Sequence, residues 1–79
     1  MTMQTKEKIR GVLIDLLKIK PESLLDDINL ADGIGVDSTE MVETVIALEK
    51  TFSMKLSPKE ITKYSTINEI EKVINSKLA

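Results

Sequence analysis

Few side chains in this 79-residue chain can do covalent chemistry, and what is missing narrows the field first. There is no Cys and no His. Disulfides and thiolate zinc sites are therefore excluded, and so are the commonest general base and the commonest metal ligand. A nucleophilic Ser needs a base to take its proton, and no spacing in the chain pairs a Lys or a carboxylate with a Ser for that purpose. Asp26, Asp27 and Asp32 are close in sequence but lack the regular oxygen-ligand spacing of a calcium loop. The chain is expected to hold no metal and not to be an enzyme.

Ser38 is the residue that stands out. It follows Asp37 at the start of a predicted helix, where backbone N–H groups are unpaired and the positive end of the helix dipole points outward. Read locally, Ser38 is an N-cap or the neighbour of one, since Asp and Ser both serve there. The same place suits a phosphate ester on the hydroxyl, because helix N-termini favour anions. Gly35, just upstream, is expected to allow a tight approach of loop to helix.

The elements that must position Ser38 can be read from periodicity. Ile9, Val12, Leu13, Leu16 and Leu17 recur at three- and four-residue spacing and predict a first helix over Met3–Lys18, with Gly11 inside it. Pro21 prevents its continuation. A long connection, Lys20 to Val36, carries Leu24, Leu25, Ile28, Leu30, Ile34 and Val36, which are expected to pin it onto the helices. The second helix starts at Asp37-Ser38, with Glu40 at capping-box spacing. Met41, Val45, Leu48 and Phe52 form its apolar stripe, Val42 and Ile46 lie beside it, and Glu40, Glu43, Thr44 and Ala47 are expected on the wetter side. Ser57-Pro58-Lys59-Glu60 reads as the start of a short third helix reaching Tyr64. Thr66 and Glu69 cap the last helix, whose stripe is Ile67, Ile70, Val73, Ile74 and Leu78. The fold expected is all-α: a small bundle of three long helices and one short one, with a long loop between the first two, forming a single domain over residues 1–79.

Net charge is −2, but the charges are segregated. Pro21 to Glu49 holds eight acids and no Lys or Arg, leaving eleven bases and five acids elsewhere. An acidic face repels nucleic acid and anionic lipid and attracts basic protein surfaces. No apolar run approaches the roughly 20 residues that span a bilayer. The polar, charged stretch from Met1 to Arg10 does not read as a secretory signal, so a soluble cytoplasmic monomer is expected.

Gly35-Val36-Asp37-Ser38, followed by Glu40, Val42, Glu43, Val45, Ala47-Leu48-Glu49 and Phe52, resembles the modification site and second helix of acyl carrier proteins. The family pattern there is close to G-x-D-S-L, then an acidic and aliphatic helix ending A-L-E-x-x-F. The resemblance extends over nearly the whole chain. It implies that a phosphopantetheinyl transferase moves a 4′-phosphopantetheine arm from coenzyme A onto Ser38, with Asp37 flanking the site for transferase recognition. The arm's thiol would then hold acyl groups as thioesters and present them to acyl-transferring and chain-modifying enzymes of fatty-acid or specialised lipid or polyketide-type synthesis. Asp37, Glu40, Glu43 and Glu49 match acidic positions the family uses to dock basic patches on partners. Val42 and Ile46 match apolar positions at the docking surface or beside the acyl cavity. An acyl chain is expected to enter between the helices of the aliphatic core.

Three departures from the pattern bear on specificity. Thr39 stands where the family usually has Leu, an apolar contact for the transferase and other partners; Gly33 replaces a common acid; and Lys55, Lys59 and Lys63 make a region basic that is acidic in many relatives. They point to a specialised carrier as readily as to the main fatty-acid carrier. Peptidyl carriers more often have Gly-His or a similar pair before the serine, so Asp37 favours acyl or D-alanyl (aminoacyl) types. The competing readings are a non-catalytic helical interaction domain in which Ser38 is only a cap, and a nucleic-acid-binding helical domain, which the acidic second helix opposes.

Overall fold

The computed structural model describes residues 2–78, with side chains from Thr5 onward; Met1 and Ala79 lie outside the described residues. Its elements are helix α1 (Thr2–Leu17), a 3₁₀ turn at Pro21–Ser23, and helices α2 (Leu30–Ile34), α3 (Ser38–Phe52) and α4 (Ile67–Leu78). The described residues contain no strand. Helix α1 packs against both α3 and α4. Ile9 and Leu13 of α1, Leu48 of α3, and Ile67, Ile70 and Ile74 of α4 are fully buried, so the periodic stripes do face a common core. The ends of two stripes overshoot it: Leu16 and Leu78 are left exposed.

The described residues form four α-helices, as expected, but the short one is not where the sequence placed it. Residues 57–61 form a single hydrogen-bonded turn, with the Glu60 and Ile61 N–H groups both donating to Ser57 O, at 3.0 and 3.3 Å. The signals that start a helix are all there, since the Ser57 N–H donates to Glu60 Oε2 at 2.9 Å and the Lys59 N–H to Ser57 Oγ at 3.1 Å. Propagation fails because hydroxyls take the next donors. The Thr62 N–H donates to Ser65 Oγ at 3.1 Å and the Tyr64 N–H to Thr62 Oγ1 at 3.2 Å. Such local bonds compete with the helical ladder.

The short helix is α2, within the long connection. Asn29 caps it by accepting from the Asp32 N–H at 2.9 Å. Two further donors at its start are satisfied by the distant 63–65 segment: Leu30 N–H to Ser65 O at 3.2 Å and Ala31 N–H to Lys63 O at 2.8 Å. Gly35 ends it with a left-handed φ of 68°. No atom crowds the place where its Cβ would stand, so the glycine is needed for backbone hand and not for close approach.

Arg10 organises the rest of the connection. Its guanidinium donates to Leu24 O at 2.7 Å, Pro21 O at 3.0 Å and Asp26 Oδ1 at 2.6 Å. Leu24, Leu30 and Val36 are buried, as expected, whereas Leu25 and Ile28 are exposed and do not pin the loop.

Candidate functional site

Asp37 is the N-cap of α3, and Ser38 is the first residue of the helix. The Glu40 N–H donates to Asp37 Oδ1 at 2.8 Å, and the Asp37 N–H donates to Glu40 Oε1 at 3.1 Å. This reciprocal box satisfies two of the orphan donors at the helix start. Capping therefore falls entirely to Asp37. Ser38 is exposed, and its hydroxyl takes no part in the side-chain hydrogen bonds among the described residues. The N–H groups of the first helical residues have no intrahelical acceptor, so an anion on the Ser38 oxygen meets unpaired donors and the positive end of a 15-residue helix.

Ser38 stands on the rim of a groove of about 480 Å³, within the size range of small-ligand sites. One wall is α3: Met41 and Val45, buried, at its base, with Val42 and Ile46 on the lip. The two lip residues are 58 % and 46 % exposed, which takes them out of the core. The other wall is the 56–64 segment, which contributes Leu56, Ile61 and Tyr64. Tyr64 is 67 % exposed. Sequence reading missed this wall as a wall, because it treated the segment as a helix; the order Leu56, Ile61, Tyr64 opposite an amphipathic helix was the available signal.

The remaining acidic and polar candidates divide into two groups. Thr39 and Glu43 are exposed on α3 and make no hydrogen bond or ion pair among the described residues. Glu40 serves the capping box, and Glu49 is half-buried, its Oε2 accepting from the Leu56 N–H at 2.8 Å. Glu49 thus anchors the start of the opposite wall. Thr44 is not on the wet side: it is fully buried and donates its hydroxyl to Glu40 O at 2.9 Å, which lets a polar residue sit in the core. No group of three or more potential metal ligands gathers among the described residues.

Residues 7–74 match the family model described as the phosphopantetheine attachment site. An acyl carrier protein from Thermosynechococcus vestitus is 30 % identical over 73 residues, covering 92 % of this chain and 90 % of that protein. An acyl carrier protein from Buchnera aphidicola subsp. Acyrthosiphon pisum (strain 5A) is 32 % identical over 72 residues, covering 91 % and 90 %. The prosthetic group of such proteins is 4′-phosphopantetheine, and they carry without catalysing. An exposed hydroxyl at a helix N-terminus beside an apolar groove fits that group: the oxygen can bear the phosphate, the helix end can face its charge, and the groove can receive what the arm carries. The chain belongs to the acyl carrier protein family.

Proposed function

We propose that Ser38 bears the phosphopantetheine arm and that the chain, over 1–79, acts as one carrier domain delivering thioester-bound acyl groups to enzymes of fatty-acid or specialised lipid or polyketide-type synthesis. The observation that carries this reading is the division of labour at the start of α3: Asp37 caps the helix, so the Ser38 hydroxyl is left free at its N-terminus and opens onto the groove. In the transfer from coenzyme A, a Ser38 Oγ–phosphorus bond forms as the phosphoanhydride bond breaks, adenosine 3′,5′-bisphosphate leaves, and the hydroxyl proton passes to the transferase. Tethering then raises the effective concentration of the carried group at a docked enzyme. Asp37 flanks the site for the transferase. Glu40, Glu43, Val42, Ile46 and Thr39 form the docking face, and Glu49 supports it from the groove's far end. The acyl chain lies along the groove between α3 and the 56–64 segment. Among the described residues no helix is long and apolar enough to cross a membrane; we place the carrier in the cytoplasm as a monomer.

Intact mass after incubation with coenzyme A and a broad-specificity phosphopantetheinyl transferase tests the reading. A single adduct is expected, absent from a folded Ser38→Ala variant. No adduct with several transferases, or one that survives the substitution, overturns it in favour of a plain interaction domain. In the loaded protein, a long acyl group should shift the amide resonances of Val42, Ile46 and Tyr64 relative to the free thiol; unchanged resonances reject the groove as its seat. Loading with D-alanine in preference to fatty acyl groups would instead identify an aminoacyl carrier.

A further inference from the structure

The surface beside the groove changes sign along α3. Its start is acidic, with Asp37, Glu40 and Glu43. Its far end is basic, and the basic end is a surface in its own right. Lys50 and Lys55 line a second, shallower cleft with Ile46, Glu49 and Met54. That cleft shares Ile46 and Glu49 with the groove, so the two form one continuous face. Glu43 and Lys50 are seven residues apart, about 10 Å along one helix stripe, and Asp37 is about 20 Å from Lys50. At physiological salt the screening length is about 8 Å, so a partner senses the two ends separately.

Neither end is neutralised from within. The ion pairs among the described residues are Lys6 with Asp26 and Glu71, Arg10 with Asp26, and Lys77 with Glu60. Lys50 and Lys55 are exposed and enter none of them. Between the charged ends lie the exposed Val42 and Ile46. Two further charges line the clefts, but each is engaged locally: Glu49 accepts from the Leu56 N–H, and the Lys63 ammonium lies over the Tyr64 ring. The uncommitted charges along α3 and just beyond it therefore read, from the Ser38 end, acidic, apolar, basic.

Given the carrier reading above, we propose that the protein that docks on this face is bipolar: it sets a cationic patch against Asp37 and Glu43, an apolar strip against Val42 and Ile46, and an anionic patch against Lys50 and Lys55. The arrangement gives α3 a direction. A partner that bound the helix reversed would bring like charges together at both ends, and such juxtaposition suppresses wrong orientations. A uniformly cationic partner meets repulsion from the lysines, and an anionic lipid surface meets repulsion from Asp37 and Glu43.

The partner every such carrier must meet is its transferase, and the probe is the phosphopantetheinyl transferase of the same organism. The sign of one effect decides. Lys50→Glu with Lys55→Glu makes the chain more acidic, which speeds loading by a uniformly cationic enzyme and slows it for a bipolar one. The expected result is a fall in kcat/KM of about tenfold, mostly in KM, with a similar fall for Glu43→Lys. Lys72→Glu, on α4, changes net charge in the same direction by half as much and should shift the rate by less than twofold. An unchanged or faster rate for the double variant, at unchanged helicity, overturns the proposal. So does co-sedimentation with phosphatidylglycerol vesicles that the double variant loses while its loading is unaffected, since that assigns the lysines to lipid. Wild-type protein that takes no arm from any transferase removes the carrier reading itself, and this proposal falls with it.

Discussion

Arg10 holds the connection that delivers Asp37 and Ser38, so its removal is the most informative perturbation of the scaffold. Arg10→Ala deletes two bonds to main-chain carbonyls and one ion pair. Each carbonyl bond contributes about 1 kcal/mol net. The two side chains of the pair with Asp26 are 25 % and 38 % exposed, so screening limits it to about 0.5 kcal/mol. The loss sums to about 2–2.5 kcal/mol, a large fraction of the roughly 3–5 kcal/mol available to so small a core. At about 4–8 °C per kcal/mol for a domain of this size, Tm should fall by about 8–20 °C. Urea unfolding followed by circular dichroism measures it, with the m-value checking that the unfolded state is unchanged. Arg10→Lys keeps the charge but loses the planar fork, and should recover less than half. A loss under about 0.5 kcal/mol in Arg10→Ala would show that apolar burial of Leu24, Leu30 and Val36 alone sets the connection, and would refute the clamp.

Three other outcomes follow from the same structure. Gly11 lies inside α1 with open space around its missing Cβ, so Gly11→Ala should raise stability by about 0.5–1 kcal/mol, read by the same unfolding curve. Asp37→Ala should cost about 1 kcal/mol through the lost cap, whereas Asp37→Asn should keep the cap and stability yet slow Ser38 loading; equal loading by wild type and Asn would reduce Asp37 to a structural residue. Hydrogen bonding from the Ser57 N–H, then from Lys77, holds the Glu60 carboxyl below the usual range. A lowered folded-state pKa stabilises fully above the unfolded value, about 4.3, and the contribution disappears as pH falls through the lower folded value. Backbone resonances of residues 57–60 should therefore loosen in acid below pH 4, and Glu60→Gln should flatten that dependence.

What could be read from the sequence was whatever repeats or pairs at short range. The stripes on α1, α3 and α4 follow from 3.6-residue periodicity, and both capping boxes follow from residues three apart, as Thr66 and Glu69 confirm at 2.8 and 3.1 Å. Ser38 was legible because its neighbours form a pattern. The misses depend on partners far away in the chain. Arg10 reaches residues 11 to 16 positions distant, and α2 is started by carbonyls from 63 and 65. Thr44 looked wet because its hydroxyl is polar, but a helical hydroxyl can satisfy itself on the preceding turn. The turn at 57–61 carries every start signal of a helix; what stops it is the later competition of Thr62 and Ser65 for the same donors.

That competition has a consequence for the groove. One side is a 15-residue helix with a continuous ladder, and the other is an irregular segment held by hydroxyls, the carboxylates of Glu49 and Glu60, and a few cross-links to α2 and α4. The two jaws differ in compliance. On the proposed reading, a bulkier cargo moves the soft jaw outward at the cost of its part-buried bonds and of some burial of Leu56 and Ile61, while the stiff jaw keeps its register. Because Ser38, the proposed point of attachment, belongs to the stiff jaw, the space beside it can vary without displacing it. A carrier loaded in the proposed way changes girth with its load and still presents the same α3 face, in the same place, to whatever docks on it.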